Sequence, residues 1–115
     1  MASHDLITPN GGTLVNRMVK GADADALRAE AASLPTITLS DKQACDLEMI
    51  AIGAFSPLAG FVGPEDFRSI CTSMRTADGT PWPIPITLAV EDDVKATLEV
   101  GGRAAMVHSD GTLMG

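Results

Sequence analysis

The chain has 115 residues, a length that fits one domain with its own hydrophobic core. Its composition is 45% hydrophobic and only 3% aromatic, so aliphatic side chains must form most of that core. Fifteen acidic and eight basic residues give a net charge of −7, which disfavours nucleic acid and anionic membrane surfaces as partners.

The opening segment, residues 6–19, predicts a β segment with a turn inside it. Asn10-Gly11-Gly12 suits a tight turn with positive φ, and residues 14–15 begin the predicted return strand. A phosphate-binding loop is the alternative interpretation of the paired glycines, but no Lys-Ser/Thr pair follows them. Arg17 and Lys20 could attract an anion, although solvated surface charges are the more common outcome.

A helix and a short strand are predicted next. Asp23 or Asp25 can cap a helix that runs to about Ser33 and turns Leu27 toward the core. Residues 36–39 then alternate polar and apolar side chains, which is the period of a half-buried strand.

The centre of the chain, residues 39–67, combines a helix, an apolar turn and the start of another helix. Ser40 and Gln43 have the spacing of a reciprocal cap at a helix N-terminus. Gly53 can adopt the left-handed conformation that ends the helix. The turn that follows is apolar and bends sharply, so it must lie against the body of the protein.

The candidates for a structural turn or a domain contact are Phe55, Ser56, Pro57, Phe61 and Trp82. Ser56 is not a nucleophile, because the flanking glycines of Gly-x-Ser-x-Gly are absent, and its hydroxyl is predicted to bond to nearby backbone. Asp46 and Glu48 are two residues apart and cannot share a helix face, which argues against a paired-carboxylate site. Asp46 is instead expected to accept hydrogen bonds from backbone amides of the following turn.

A second central helix should open at residues 63–66, with Pro at its first position. The side chains spaced for one buried stripe on it are Phe67, Ile70, Cys71 and Met74. After a turn at Asp78-Gly79, residues 82–90 alternate as a strand. Pro83 and Pro85 cannot donate ladder hydrogen bonds, so this strand should begin at a sheet edge.

The last part of the chain predicts a short helix opened by residues 91–93 and a strand over residues 103–108. Residues 109–112 form a hairpin turn with an Asp-Gly centre, and residues 113–114 begin the returning strand. Because this arm is so short, the sequence predicts a fragment that is truncated at its C-terminus.

The potential metal ligands do not form a set. His4, His108, Cys45 and Cys71 are far apart and have no ligand spacing, so both histidines are expected to be surface or structural residues. No export signal and no run of 18 apolar residues is present, which predicts a cytoplasmic protein without a membrane span. Both cysteines are then expected to be reduced and to act as small apolar residues, and a disulfide bridge between them is the alternative.

Three blocks in order cover most of the chain: LITPNGGTLVNR at 6–17, DLEMIAIGAFSPLAGFVGPEDF at 46–67 and ADGTPWPIPITLAV at 77–90. Together they resemble the N-terminal domain of sulfate adenylyltransferase (ATP sulfurylase). The chain departs from the family pattern at three positions, with Asn10 in place of a usual His, Ala59 in place of a common Glu and Thr76 in place of an apolar residue. The role of that His therefore cannot be carried over.

The resemblance implies a PUA-like β-barrel of short strands, and the residues themselves independently predict an α+β class with about three helices. It also implies that residues 1–115 form a non-catalytic domain of an enzyme that makes adenosine 5′-phosphosulfate and pyrophosphate from ATP and sulfate. The family's Gln-x-Arg-Asn-x-x-His-x-x-His block is absent here, so no catalytic, cofactor-binding or metal-binding residue is assigned. Mg-ATP and sulfate would bind elsewhere in the parent enzyme, which is expected to be a homo-oligomer, and the partner of this domain would be the catalytic domain of the same polypeptide.

A different class of function is a free-standing PUA-like module that binds RNA. The charge of −7, the single Trp and the lack of interleaved aromatic and basic residues weigh against it. A salt-sensitive gel shift with structured RNA would support this alternative.

Overall fold

The computed structural model describes residues 6–115, and this part of the chain contains four α-helices and two β-strands. In chain order they are α1 (Gly21–Ala31), β1 (Thr36–Leu39), α2 (Asp41–Ala51), α3 (Pro64–Ser73), α4 (Asp92–Lys95) and β2 (Ala105–His108). The predicted mixture of helix and strand is confirmed, with four helices instead of three. The predictions for His4 lie outside the described residues. None of the four helices is both long and apolar enough to cross a bilayer.

The two strands form a small parallel sheet. Thr36 lies opposite Ala105 and Leu39 lies opposite His108. Ile37 and Leu39 are buried while their neighbours are exposed, which confirms the half-buried strand predicted for residues 36–39. The predicted β-barrel is not shown, because residues 6–115 contribute only these two strands.

The chain divides into two compact units. The first unit contains the described residues up to Arg17 together with Met49–Thr87, and the second contains Met18–Glu48 and Leu88–Gly115. The core of the first unit is formed by Ile50, Leu58 and Ile86, with Phe55, Phe61, Val62 and Trp82 packed against it. The core of the second unit is formed by Ile37, Leu39 and Ala44, with Leu47, Leu88, Val90, Val94, Leu98, Ala104, Met106 and Met114 packed against it. The expected dominance of aliphatic side chains is confirmed among the buried residues of both cores, while three aromatic side chains pack against the first core.

The β segment predicted for residues 6–19 is wrong, although its turn is correct. The N–H of Gly12 donates to the carbonyl of Pro9 at 2.8 Å, and the glycines of the turn have positive φ. The N–H groups that a ladder would need are bound elsewhere in the same unit. Val15 donates to the hydroxyl of Ser56 at 2.9 Å, and Arg17 donates to the carbonyl of Ala51 at 2.8 Å.

Helix α1 differs from its prediction in its cap and in its burial. Lys20 occupies the N-cap position without a side-chain hydrogen bond, and Asp25 instead binds Arg28 at 2.9 Å. Leu27 is 38% exposed, so the prediction that it enters the core is wrong. Five of the 11 residues are Ala, which favours a helix by propensity alone and provides little apolar surface to bury.

Helix α2 begins with the predicted reciprocal cap. The hydroxyl of Ser40 accepts the N–H of Gln43 at 3.2 Å, and the side-chain oxygen of Gln43 accepts the N–H of Ser40 at 2.9 Å. The prediction for Asp46 is wrong. Its carboxylate lies 3.0 Å from the ammonium of Lys42, because residues four apart are neighbours on a helix.

Helix α3 begins with Pro64 at its first turn, as predicted, but it buries one residue instead of a stripe. Ile70 is 1% exposed, while Phe67 is 43% and Met74 is 64% exposed. Met74 lies beyond the end of the helix in a left-handed conformation, so it does not continue the helical spacing. Cys71 is also exposed.

The strand predicted for residues 82–90 is not formed. An isolated antiparallel bridge joins Arg75 and Pro81, and the following prolines at 83 and 85 have no N–H to continue it. Ile86 is buried and its carbonyl accepts the N–H of Val62 at 2.9 Å, whereas Ile84 is 64% exposed.

The helix, strand and hairpin turn predicted for residues 91–114 are confirmed. Helix α4 begins at Asp92, and β2 coincides with the end of the strand predicted for residues 103–108. The N–H of His108 donates to the carbonyl of Thr112 at 2.9 Å across the predicted hairpin turn. Leu113 then forms an isolated antiparallel bridge with Val107.

Candidate functional site

The apolar turn after α2, called the central turn (residues 53–63), packs closely against the opening segment at Gly53. Gly53 has φ +84, and a Cβ at this position would lie 2.7 Å from the side chain of Leu14. An L side chain would therefore meet both backbone strain and a steric clash. The predicted role of Gly53 at the end of the helix is confirmed.

Ser56 connects the central turn to the opening segment. It is 4% exposed, and its hydroxyl donates to the carbonyl of Gly53 at 2.7 Å. The same hydroxyl accepts the N–H of Val15 at 2.9 Å. These two bonds confirm that its hydroxyl binds nearby backbone, and they show a second partner that lies 41 residues away in sequence.

The aromatic candidates pack around the same core. The rings of Phe55 and Trp82 meet edge to face, with centroids 5.7 Å apart and planes at 71°. Phe61 also packs against the core of the first unit. The indole Nε1 of Trp82 is buried without a hydrogen-bond partner among the described residues.

Pro57 and Asn10 complete this group. The side chain of Pro57 lies against Gly11, where an added Cβ would approach it to 2.9 Å. The amide of Asn10, which replaces the family's usual His, donates to the carbonyl of Pro81 at 2.7 Å. The structure thus brings all five predicted residues into one unit, while their contact with another domain stays a prediction.

A cavity of about 430 Å³ lies beside the central turn. It is lined by residues 57–63, Glu65, Asp66 and residues 76–78. The hydrogen bond from the buried Thr76 hydroxyl lowers the pKa of Asp78, and the N–H of Ala77 donates to Asp66 at 2.8 Å. The polar groups that line this cavity are therefore partly occupied by local hydrogen bonds.

The second unit contains a histidine between two carboxylates. The Nε2 atom of His108 lies 2.9 Å from Asp41, and its Nδ1 atom lies 3.3 Å from Asp110. The contact with Asp41 is the main cause that raises the pKa of His108, and burial opposes it. Sequence reasoning placed His108 among surface or structural residues but missed both partners, because Asp41 is 67 residues away.

The cysteines are free thiols, but both are exposed. The expectation that they act as small apolar core residues is therefore wrong, since the helical faces that carry them are not covered. Among residues 6–115, no group of three His, Cys, Asp or Glu residues could hold a metal ion.

Comparison with known proteins assigns the chain to a family. The family model described as "PUA-like domain" matches residues 7–115. The chain belongs to the PUA-like domain family. The family name applies to nearly the whole described chain, in which the two units contain four helices and a two-stranded parallel sheet.

Longer proteins contain regions similar to this chain. Sulfate adenylyltransferase from Synechococcus sp. (strain JA-3-3Ab) is 44% identical over 113 residues, which are 98% of this chain and 29% of that relative. A probable bifunctional SAT/APS kinase 2 from Sorangium cellulosum (strain So ce56) is 47% identical over 95% of this chain and 19% of its own length. A hexameric APS kinase from Thiobacillus denitrificans is similar in structure, with a TM-score of 0.84 and 40% identity over 94% of this chain and 22% of that one. The resemblance in the sequence is confirmed, and this chain spans less than a third of each of these proteins.

Two cavities of the described chain are lined by acidic side chains. The cavity beside the central turn is lined by carboxylates, and a second cavity of about 340 Å³ beside His108 is lined by Asp41, Glu48 and Asp110. Neither cavity is lined by Lys or Arg, the side chains that would neutralise phosphate charge. The guanidinium of Arg103 binds the carboxylate of Glu30 at 2.7 Å.

Proposed function

We propose that this chain is the non-catalytic N-terminal domain of a sulfate adenylyltransferase. That enzyme would form adenosine 5′-phosphosulfate and pyrophosphate from ATP and sulfate. The observation that carries the proposal is the similarity over 98% of this chain to only 29% of the Synechococcus enzyme. Mg-ATP and sulfate would bind in the remainder of such a polypeptide, where the catalytic nucleotidyltransferase residues would also lie.

The geometry of the central turn supports a scaffolding role. The hydroxyl of Ser56 is hydrogen-bonded to backbone, and Phe61 packs against the core of the first unit. The cavity beside them is lined by carboxylates that would repel a triphosphate. Attack of sulfate on ATP depends on positioned cationic and amide groups. The catalytic domain of the same polypeptide is accordingly the proposed partner of this domain.

The proposal also includes the finer features that the family resemblance implies. The polypeptide would continue beyond Gly115, and added strands would complete the β-barrel. The parent would be a cytoplasmic homo-oligomer, in keeping with the hexameric APS kinase that this chain resembles. Analytical ultracentrifugation of the longer protein would measure its oligomeric state.

The first test compares the 115-residue chain with the longer protein. Each is mixed with ATP, magnesium and either sulfate or molybdate, and pyrophosphate release is measured. We expect release by the longer protein and background levels from the 115-residue chain, since carboxylates in the cavities beside the central turn and beside His108 would repel a triphosphate. Turnover by the short chain would refute the non-catalytic assignment, and an inactive longer protein would refute the enzyme assignment.

A substitution in the longer protein tests the scaffolding role directly. Phe61→Ala removes a half-buried ring from the core of the first unit and should cost about 2–3 kcal/mol of unfolding free energy. The rate per folded protein should change little. Phe67→Ala is the matched control, because Phe67 is 43% exposed. A Phe61→Ala protein that folds and assembles normally but loses its rate would place the central turn in the active site.

A further inference from the structure

The opening segment is fixed to the first unit over only part of its length. The side chain of Asn10 and the backbone N–H groups of Val15 and Arg17 all donate hydrogen bonds to groups of that unit. Leu14 lies over Gly53 of the central turn. This half of the segment therefore has a defined position, although it forms no strand.

The residues that precede the turn at residues 10–12 are instead highly exposed to solvent. Leu6 is 92% exposed, Ile7 is 93% exposed, and Leu14 is 55% exposed on the same surface. Together with Pro9 they line an open cavity of about 840 Å³, whose other lining residues are Thr8 and Gly12. This surface, Leu6, Ile7, Pro9 and Leu14, is the opening patch.

Single exposed apolar side chains are common and need no explanation, but a contiguous apolar surface indicates an interaction site. The opening patch contains three large aliphatic side chains and no charged residue among those that line its cavity. A partner that covers it must therefore be apolar. Nucleic acid does not meet this requirement, because it is bound mainly through contacts with its phosphates.

We infer that the opening patch is a docking surface for the remainder of the longer polypeptide. This inference rests on the proposed function, since it requires that the chain be one domain of a larger protein. The relatives support that occupant, because the region matched by this chain is 29% of one and 19% of another. A segment in the same polypeptide is also present at a high effective concentration, so even a small apolar patch can hold it.

The first experiment replaces Leu6 and Ile7 with Ser together, in the 115-residue chain and in the longer protein. Because both side chains are more than 90% exposed, the Tm of the short chain should stay within about 1 °C. The Tm of the longer protein should fall by about 4 °C or more, because the patch is covered there. Val100→Ser is the control, since Val100 is also fully exposed and should affect neither protein. An unchanged Tm in the longer protein would overturn the inference.

The second experiment measures side-chain accessibility by footprinting with a carbene-generating label. Labelling of Leu6 and Ile7 should fall at least threefold in the longer protein relative to the short chain, while labelling of Val100 should stay equal. Equal labelling of the patch in both proteins would overturn the inference. Protection that already develops in the short chain as its concentration rises would assign the patch to a second copy and would also overturn it.

These outcomes separate the inference from the proposed function. A longer protein that releases pyrophosphate but leaves the patch accessible retains the function and loses the docking surface. A longer protein that protects the patch but releases no pyrophosphate retains the docking surface and loses the enzyme assignment.

Discussion

At the scale of the residue, the central turn depends on the side-chain hydroxyl of Ser56. Ser56→Ala would leave the carbonyl of Gly53 and the N–H of Val15 without their partner in a buried place. We expect a loss of about 1–3 kcal/mol in unfolding free energy, measured by urea denaturation. Ser73→Ala is the control, because the Ser73 hydroxyl bonds to Ser69 on an exposed surface and its loss should cost at most about 0.5 kcal/mol. Equal effects of the two substitutions would contradict the prediction.

His108 links stability to pH. Contact with Asp41 and Asp110 raises its folded pKa above the ordinary value of 6.5. The stabilising contribution is therefore complete below a pH of about 6.5 and is lost as the pH rises through the folded pKa. Urea denaturation between about pH 5 and pH 8 should show this decline, and His108→Gln should remove it.

Asp41→Asn provides the matched control for this titration. It removes the contact that contributes most to the raised pKa of His108, so the NMR titration midpoint of His108 should move to lower pH. The contact with Asp110 remains in this variant and should preserve part of the shift. If His108 in the unaltered chain titrated with a midpoint at or below that of a model histidine, the prediction would be contradicted.

At the scale of the element, α2 begins where its cap places it. Ser40→Ala removes the acceptor for the N–H of Gln43 and should cost about 0.5–2 kcal/mol of unfolding free energy. Ser40→Thr retains a hydroxyl and should stay within a few tenths of a kcal/mol of the unaltered chain. Thermal or urea unfolding of both variants measures the difference. If Thr destabilised as much as Ala, the hydroxyl would not be the group that matters.

The two ranges that were predicted as strands show that an alternating sequence pattern does not by itself produce strand pairing. Residues 36–39 and 82–90 both alternate polar and apolar side chains, yet only the first range forms a strand. The first range has a parallel partner in Ala105–His108, whereas two prolines, at 83 and 85, remove donors from the second. Alternation describes which side chains can be buried, and it does not supply the second strand.

At the scale of the whole molecule, the net charge of −7 continues to weigh against the RNA-binding alternative. That exclusion remains a prediction, as does the cytoplasmic location. The two units each contain their own aliphatic core, and the five turn residues predicted from the sequence all belong to the first. The family assignment rests on residues 7–115 and therefore covers both units.

Features that depend on neighbouring residues were predictable from the sequence alone. The reciprocal cap of Ser40 and Gln43, Pro64 in the first turn of α3 and the helix end at Gly53 follow from local backbone chemistry, and they appear where predicted. Motif order over three blocks was also enough to identify the relatives.

Contacts between distant segments could be found only once the chain was seen folded. The bonds from Ser56 to Val15 and from His108 to Asp41 join residues 41 and 67 positions apart, and no local pattern encodes such pairs. Burial was likewise decided by packing, since Leu27 and Phe67 have suitable helical spacing but lie where no element covers them fully. Propensity and capping act within a few residues, whereas burial and pairing depend on which surfaces meet once the whole chain has folded.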